Sequence, residues 1–429
     1  MVIYLNSMSY FALPTTCIDH NLKDSIVYEK DLPENIVSVI NKTLSIYLTE
    51  AKNQIDSKQA EWDRYKKYTN TYEYIHTTVP GTKSAVCKCK PLSRSFFKMI
   101  ETMKTMRLMD ILPVDSCKTF HFAEGPGGFI EAIAYLRDNK TDEYLGMTLL
   151  DETDGSVPGW KKSQSFMENN PNVYIERGIT GDGDMLKADN LKECYKSHNN
   201  SCDLVTADGG FDFTNDFNHQ EVMSLKLAYA QVAYALSCQK MGGSFIIKVF
   251  DTFTPASIDL LYILSNAYEK VYFFKPHTSR SANSEKYIVC KNYRLNDSKS
   301  LVIAMFHIIQ EFNDEKQPKR FLNNDIPYVY SGAIQEINAI FGQSQIECIS
   351  QTLQLINSSS SDRIDNLKKA HVSKCINWCQ RFRIPYNKVN VSTNIFLATR
   401  QRSGSSSEPA FRYKSSESES ENQTEEKES

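Results

Sequence analysis

Residues 119–129 read TFHFAEGPGGF, and this stretch decides the fold. An apolar run rich in aromatic residues enters a turn carrying three glycines, and helical periodicity then runs from Phe129 to Arg137. A short buried strand that turns on glycine into a helix is how an alternating β-α-β chain begins. The same alternation continues outward. Tyr144–Leu149, Val173–Glu176, Cys202–Ala207, Ser244–Phe250, Val271–Lys275 and Tyr287–Cys290 read as strands, and Gln220–Cys238 and Pro255–Tyr268 as helices between them. This pattern predicts an α/β fold with a largely parallel sheet covered on both faces.

The alternation occupies residues 83–296. Residues 1–82, with helical periodicity around Ile36–Tyr47 and Ala51–Tyr65, read as a helical N-terminal extension. Residues 297–402 read as a helical C-terminal subdomain, and 403–429, dominated by Ser and Glu, as a disordered tail. At 429 residues and 41% hydrophobic, the chain can bury a real core, which excludes a wholly disordered protein. No apolar run approaches the ~18 residues of a membrane span. The N-terminus lacks the basic region of a signal peptide.

The net charge is -3, but seven Glu lie beyond Ser403; without that tail, 46 basic residues face 45 acidic ones. Overall charge therefore neither suggests nor excludes a nucleic-acid partner, and local patches decide. From Lys83 to Arg107, seven cations (Lys83, Lys88, Lys90, Arg94, Lys98, Lys104, Arg107) face only Glu101. Phe96, Phe97, Phe273, Phe274, His277 and Arg280 interleave aromatic and basic groups, the pattern that holds single-stranded RNA by phosphate contact and base stacking. An ordinary solvated basic face reads the same way.

The 11 cysteines are odd in number and widely spaced, as free thiols in a reducing, intracellular compartment would be. His371, Cys375 and Cys379 fall on one helix face, but no fourth ligand stands at zinc spacing, so a buried helix face is expected and no metal.

Glycines in a strand-to-helix turn let a ligand approach the backbone, and the first amides of the following helix suit an anion. A plain turn would look alike. The spacing is neither Gly-x-Gly-x-x-Gly nor a Walker loop. It suits S-adenosylmethionine, whose carboxylate could use those amides. Downstream, Asp184 in Gly181-Asp-Gly-Asp could accept from the adenine amine, or simply build a turn. Asp208 follows a strand directly. Lys248 interrupts the apolar run SFIIKVF, unusual unless the lysine is paired or used. Glu285 precedes a strand, and Lys98 lies on an amphipathic segment. Two lysines and two acids in one cleft suit deprotonation of a hydroxyl.

These residues carry a resemblance. AEGPGGF at 123–129, LGMTL at 145–149, GDGD at 181–184, ADGGFD at 207–212, KVFDTFTP at 248–255 and FKPHTSRSANSEKYIVCK at 274–291 occur in the order found in the FtsJ-like ribose 2′-O-methyltransferases. Among these the chain is similar to the cap-specific mRNA enzymes of eukaryotes and large DNA viruses. The resemblance implies a Rossmann-like methyltransferase sheet and a catalytic tetrad of Lys98, Asp208, Lys248 and Glu285. It implies that Ser93, Ala123, Glu124, Gly125, Pro126, Gly127, Gly128, Phe129, Asp184 and Asp208 hold S-adenosylmethionine. Asn218, His219, Gln220, Asn283 and Lys67 would contact substrate. Two departures stand out: Asn70-Thr-Tyr-Glu73, after Lys66 and Lys67, lacks the proline of the family's Asn-Pro-Tyr-Glu block, and Glu124 stands where many relatives have a small residue. The implied partners are capped mRNA and other capping enzymes, in nucleus, cytoplasm or a viral replication site. Methylation of uncapped ribosomal or transfer RNA, and an inactive RNA-binding subunit, are the rival readings.

Overall fold

A computed structural model describes residues 10–19, 21–31, 40–151, 157–210, 218–312, 316–358 and 361–389. In chain order its strands are β1 (Tyr10–Ala12), β2 (Ile26–Asp31), β3 (Lys118–Phe122), β4 (Glu143–Met147), β5 (Val173–Glu176), β6 (Cys202–Ala207), β7 (Gln239–Val249), β8 (Tyr268–Phe274), β9 (Lys286–Tyr293) and β10 (Gln317–Leu322). Its helices are α1 (Lys42–Asp56), α2 (Gln59–Thr69), α3 (Ser95–Thr105), α4 (Gly128–Arg137), α5 (Gln164–Asn169), α6 (Ala188–His198), α7 (Gln220–Cys238), α8 (Pro255–Ala267), α9 (Lys299–Gln310), α10 (Tyr328–Ser358) and α11 (Ser361–Phe382).

Eight strands form one sheet in the order β1-β8-β9-β7-β6-β3-β4-β5. From β7 to β5 neighbouring strands run parallel, while β9 is antiparallel to both β7 and β8. This is a Rossmann-like α/β sheet, as the sequence predicted. Three strands fall outside the prediction: β1 and β2 in the region read as a helical N-terminal extension, and β10 in the region read as a helical C-terminal subdomain. The short β1 pairs with β8 at the sheet edge, and β2 pairs antiparallel with β10 in a separate two-stranded sheet. The N-terminal region is therefore not purely helical: its first described elements are strands, and one of them joins the central sheet. A three-residue edge strand carries too little periodicity to be read from sequence. The described residues up to Val389 belong to one compact unit. The expected tail from Ser403 lies outside the described residues, as do Phe211 and Asp212 of the ADGGFD motif.

The two faces of the sheet are covered differently. Leu145 and Met147 of β4, Val271 and Phe273 of β8 and Cys290 of β9 join α7, α8 and α9 in one large core cluster. Alternate residues point the other way. On that second face Gly146 meets Ile130 of α4 and the Trp160 ring, and a side chain at 146 would clash with both. α3 packs against α4, and Lys291 Nζ donates to the Met106 carbonyl just past α3. Among the described residues no helix is long and apolar enough to cross a membrane.

Candidate active site

The carboxyl ends of β3, β6 and β7 and the amino end of β9 meet at one place, where open α/β sheets bind their ligands. Register sets this up: Phe122 pairs with Ala207, Ala207 with Ile247, and Lys248 with Tyr287. Asp208 comes one residue after β6 and Glu285 one before β9, so register alone brings Asp208, Lys248 and Glu285 together. Lys248 Nζ lies 3.3 Å from Asp208 Oδ1 and donates to the Asp208 carbonyl at 2.7 Å. A Cβ at Gly210 would stand 3.2 Å from this ammonium, so glycine there keeps Lys248 clear.

Lys98 arrives from α3, whose Phe96, Phe97, Met99, Ile100 and Met103 are buried. Its Nζ is 2.6 Å from Glu285 Oε1 and 2.8 Å from Oε2. Burial pushes the Lys98 pKa down, and the Glu285 charge opposes the shift. Burial works against an ionised Glu285, but the ammonium groups of Lys98 and Lys248 outweigh it and hold the carboxyl well below the usual carboxylate range. Tyr287 ties the two ion pairs together: its hydroxyl donates to Asp208 Oδ1 at 3.3 Å and reaches Glu285 Oε1 at 3.5 Å. Its ring centroid lies 6.0 Å from that of Phe129 in the glycine turn.

The segment 276–285 is fastened from several directions. Glu101, fully buried on α3, accepts from the His277 amide and Nδ1, from the Thr278 amide and Oγ1, and from Trp378 Nε1 on α11. Burial disfavours its charge, yet the His277 hydrogen bond draws its pKa below the ordinary value. Glu73, in the Asn70–Glu73 block, takes a two-pronged bond from Arg280 at 2.7 and 3.0 Å. Ser279 Oγ donates to Glu285 Oε1 at 2.9 Å. Lys275 Nζ bonds the Asn283 carbonyl and Oδ1 and the Glu285 carbonyl, and burial pushes its pKa down to about 7. Gln345 of α10 donates to the Ala282 carbonyl at 3.0 Å.

The glycine turn differs from expectation in one respect. The Phe129 amide and, at 3.5 Å, the Ile130 amide donate to the carboxylate of Glu124. These first-turn amides of α4, expected to serve a ligand anion, are thus occupied by the chain's own buried side chain. Burial pushes the Glu124 pKa well above its ordinary value. Ala123 and Gly127 have positive φ, at 49° and 104°, and the Gly125–Pro126 bond is cis. Side chains at Gly125 and Gly128 would meet the Gly159 carbonyl and the Ser93 and Ser95 hydroxyls, which places Ser93 directly on the turn.

The remaining candidates are distributed unevenly. Asp184 lies at the carboxyl end of β4: its loop leans on Thr148, the Asp182 carbonyl accepts from the Leu150 amide at 2.7 Å, and its own Oδ1 accepts from the Leu186 amide at 2.9 Å. Gln220 Oε1 accepts from Ser284 Oγ at 2.8 Å and Asn283 from Lys275, so both adjoin the tetrad. Asn218 instead donates to Asn53 of α1 at 2.8 Å; His219 is exposed at the start of α7. Lys67, on α2, holds its ammonium over the Tyr68 ring.

The basic stretch 83–107 does not form one solvated face. Lys83, Lys88 and Lys90 are exposed, Lys98 is buried in its ion pair, and Lys104 donates to the Phe382 carbonyl. Phe96, Phe97, Phe273 and Phe274 are core residues, none more than 2% exposed, and cannot stack on bases. Their alternation with basic residues reflects helix and strand faces rather than a binding surface. His371, Cys375 and Cys379 form a buried helix face, and among the described residues no group of His, Cys, Asp or Glu is placed to hold a metal ion.

The sequence reading did not pick out Tyr287, Glu101 or Lys275. Tyr287 was detectable, because positions i and i+2 share a strand face and Glu285 is two before it. Glu101 was counted only as the lone acid in a basic run; a carboxylate on the apolar stripe of a helix signals a buried anchor.

Residues 91–293 match the model of the FtsJ-like methyltransferase family. A cap-specific mRNA (nucleoside-2′-O-)-methyltransferase 2 of Danio rerio is 26% identical over 351 residues, 79% of this chain and 46% of that protein. A cap-specific mRNA (nucleoside-2′-O-)-methyltransferase 1 of Mus musculus is 33% identical over 243 residues, 55% of this chain and 29% of that protein. Its Danio rerio counterpart is 33% identical over 305 residues, 69% and 36%. This chain spans less than half the length of each of these relatives. Over residues 91–293, a little under half of its length, the chain is similar to the FtsJ-like methyltransferase family.

Proposed function

We propose that this chain methylates the ribose 2′-oxygen of a nucleotide at the capped 5′ end of mRNA, using S-adenosylmethionine. The observation that carries the reading is the pair of ion pairs, Lys98–Glu285 and Lys248–Asp208, joined by Tyr287 at the strand ends. The names of the relatives and the docking of the Asn70–Glu73 block on Arg280 support the cap as the substrate's mark.

The chain fits the cofactor in outline. Ser93, Ala123, Gly125, Pro126, Gly127, Gly128 and Phe129 line one strand end, and Asp184 and Asp208 lie on the neighbouring ones, Asp184 suited to the adenine amine. Because Glu124 occupies the α4 amides, the cofactor's carboxylate would need other donors. When bound, the cofactor supplies a methyl carbon on a sulfonium, whose carbon–sulfur bond breaks with the electron pair staying on sulfur. The chain's own part is positioning and proton removal. Lys248 would hold the 2′-hydroxyl and, in its neutral amine form, take its proton as the oxygen–carbon bond forms. Asp208 fixes Lys248, and Glu285 fixes Lys98 against the ribose. Arg94, Lys98, Lys248 and Arg280 outnumber Asp208, Glu285 and Glu73 here, which suits a phosphate-bearing substrate.

The test is methyl transfer from labelled S-adenosylmethionine to a short RNA with and without a 5′ methylguanosine cap. Cap-dependent incorporation at a ribose oxygen is expected. In Lys248→Ala it should fall about 10²–10⁴-fold with cofactor affinity nearly unchanged. Equal activity on uncapped RNA would reassign the substrate, and loss of cofactor binding in the variant would contradict the role given to Lys248.

A further inference from the structure

Among the described residues, the second face of the sheet is only partly covered. Beyond α3, the outward residues of β8 and β9 include Lys270 and Lys291, which stand directly opposite each other in the antiparallel register. Like charges facing across strands are destabilising; Lys291 is held by its bond to the Met106 carbonyl, which leaves the exposed Lys270 as the charge that stability does not explain. Lys104 and Arg107 come from the end of α3, and Arg383 follows α11. Burial pushes the Lys291 pKa down, and the nearby charges of Lys270 and Arg107 push it further; at Lys104, burial and Arg383 act the same way. Asp110, paired with Arg107 at 2.8 Å, is the carboxylate beside this group.

Aromatic rings interleave with these cations. Lys291 Nζ lies 5.7 Å from the centroid of the Tyr272 ring, and exposed Tyr10 of β1 packs edge-on against Tyr272 at 6.1 Å. The patch is separate from the tetrad. Lys291 lies five residues, about 17 Å, along β9 from Lys286, and α3 carries the chain about 11 Å from Lys98 to its end at Thr105, two residues before Arg107.

We propose that this face, built on Lys270, Lys291 and Tyr272 with Lys104, Arg107 and Tyr10 around them, binds the single-stranded RNA that continues beyond the nucleotide in the active site. Lysines hold the phosphates, and the tyrosines offer stacking surfaces to bases without sequence preference. The proposal takes the identity of the polymer from the function proposed above, but its test reads binding and needs no methyl transfer.

The experiment compares the full chain with Lys270→Ala/Lys291→Ala and with Lys270→Gln. The second variant changes only an exposed side chain, so folding is not in question. Fluorescence anisotropy measures binding of a labelled single-stranded RNA of about 25 nucleotides and of a capped tetranucleotide, over a range of salt. For the long RNA we expect about tenfold weaker binding in the double variant, and a log–log salt slope reduced by about 1.4, or 0.7 per lysine. The single variant should show about threefold and about 0.7. Tetranucleotide affinity, and its methylation where present, should not change. Unchanged affinity for the long RNA would overturn the proposal. Equal losses on both RNAs would overturn it too, because the effect would then not belong to a distal contact. If instead only an acidic phosphoserine peptide lost affinity, the face would belong to a protein partner. Absence of methyl transfer with the long-RNA loss intact would sink the proposed reaction and leave this surface standing.

Discussion

The glycine turn at 123–129 and the segment at 276–285 both adjoin Asp208, yet they are held in opposite ways. The turn is largely self-contained. Glu124 caps the helix that follows it, and Gly159 and Trp160, some thirty residues on, pack into spaces left by missing side chains. The segment 276–285 depends on distant parts of the chain: Glu73, Glu101 and Gln345 each bind it from a different element, and Trp378 in turn donates to Glu101. Glu73, Gln345 and Trp378 all lie outside the family-matching residues 91–293. A cofactor-side motif can travel as one piece of sequence, whereas a substrate-side loop is shaped by whatever each chain adds around the domain.

The largest effect expected from this contrast is at the junction of the two regions. Glu285→Ala removes the partner of Lys98, whose side chain is only 8% exposed. Leaving a buried ammonium uncompensated costs about 3–5 kcal/mol. The variant should therefore lose both transfer and stability, as read by chemical denaturation. Lys98→Met/Glu285→Leu, which removes both charges, should regain most of the stability and none of the transfer. If the double variant is as unstable as the single one, the pair is not the source of the loss.

The same contrast explains what could be read beforehand. β3 through β9 were legible because each buried strand is a short apolar run bounded by turn residues. The tetrad was legible because three of its members stand one residue from, or within, such runs. What Glu101 anchors was not legible, since its five donors come from segments 176 and 277 residues away. The aromatic–basic alternation at 96–98 and 273–275 was misread for a related reason: period alone does not say which face meets the core, and here the phenylalanines do. β1 and β2 went unread because their pairing partners, not their composition, make them strands.

A milder test targets the turn. Burial raises the folded-state pKa of Glu124 above its unfolded value, so the folded chain retains a proton that the unfolded chain releases. Its contribution is then fully present below the unfolded value, near 4.5, and is lost as pH rises toward the folded one. Glu124→Gln keeps an oxygen for the Phe129 amide and cannot ionise. Melting temperatures measured from about pH 5 to about pH 8 should shift in favour of the variant as pH rises. A difference that stays constant over this range would mean that Glu124 does not titrate with folding. Because the turn is self-contained, RNA affinity should not follow the change.

The smallest effect separates the loop from the turn most cleanly. Trp378→Phe removes one of the five donors to Glu101 and keeps a ring against Phe97 and Phe382, which the indole meets at 6.0 and 4.8 Å between centroids. One hydrogen bond is worth about 1 kcal/mol net, or somewhat more to a charged acceptor. Glu101 retains its four bonds to His277 and Thr278, so the loop should loosen rather than detach. KM for RNA should rise by up to about fivefold, while kcat and affinity for the demethylated cofactor product stay as they were. A fall in kcat with KM unchanged would show that Glu101 supports the reacting groups instead of the substrate-facing loop. An unaltered KM would show that α11 only covers the domain, and the contrast drawn between the two regions would then rest on Glu73 and Gln345 alone.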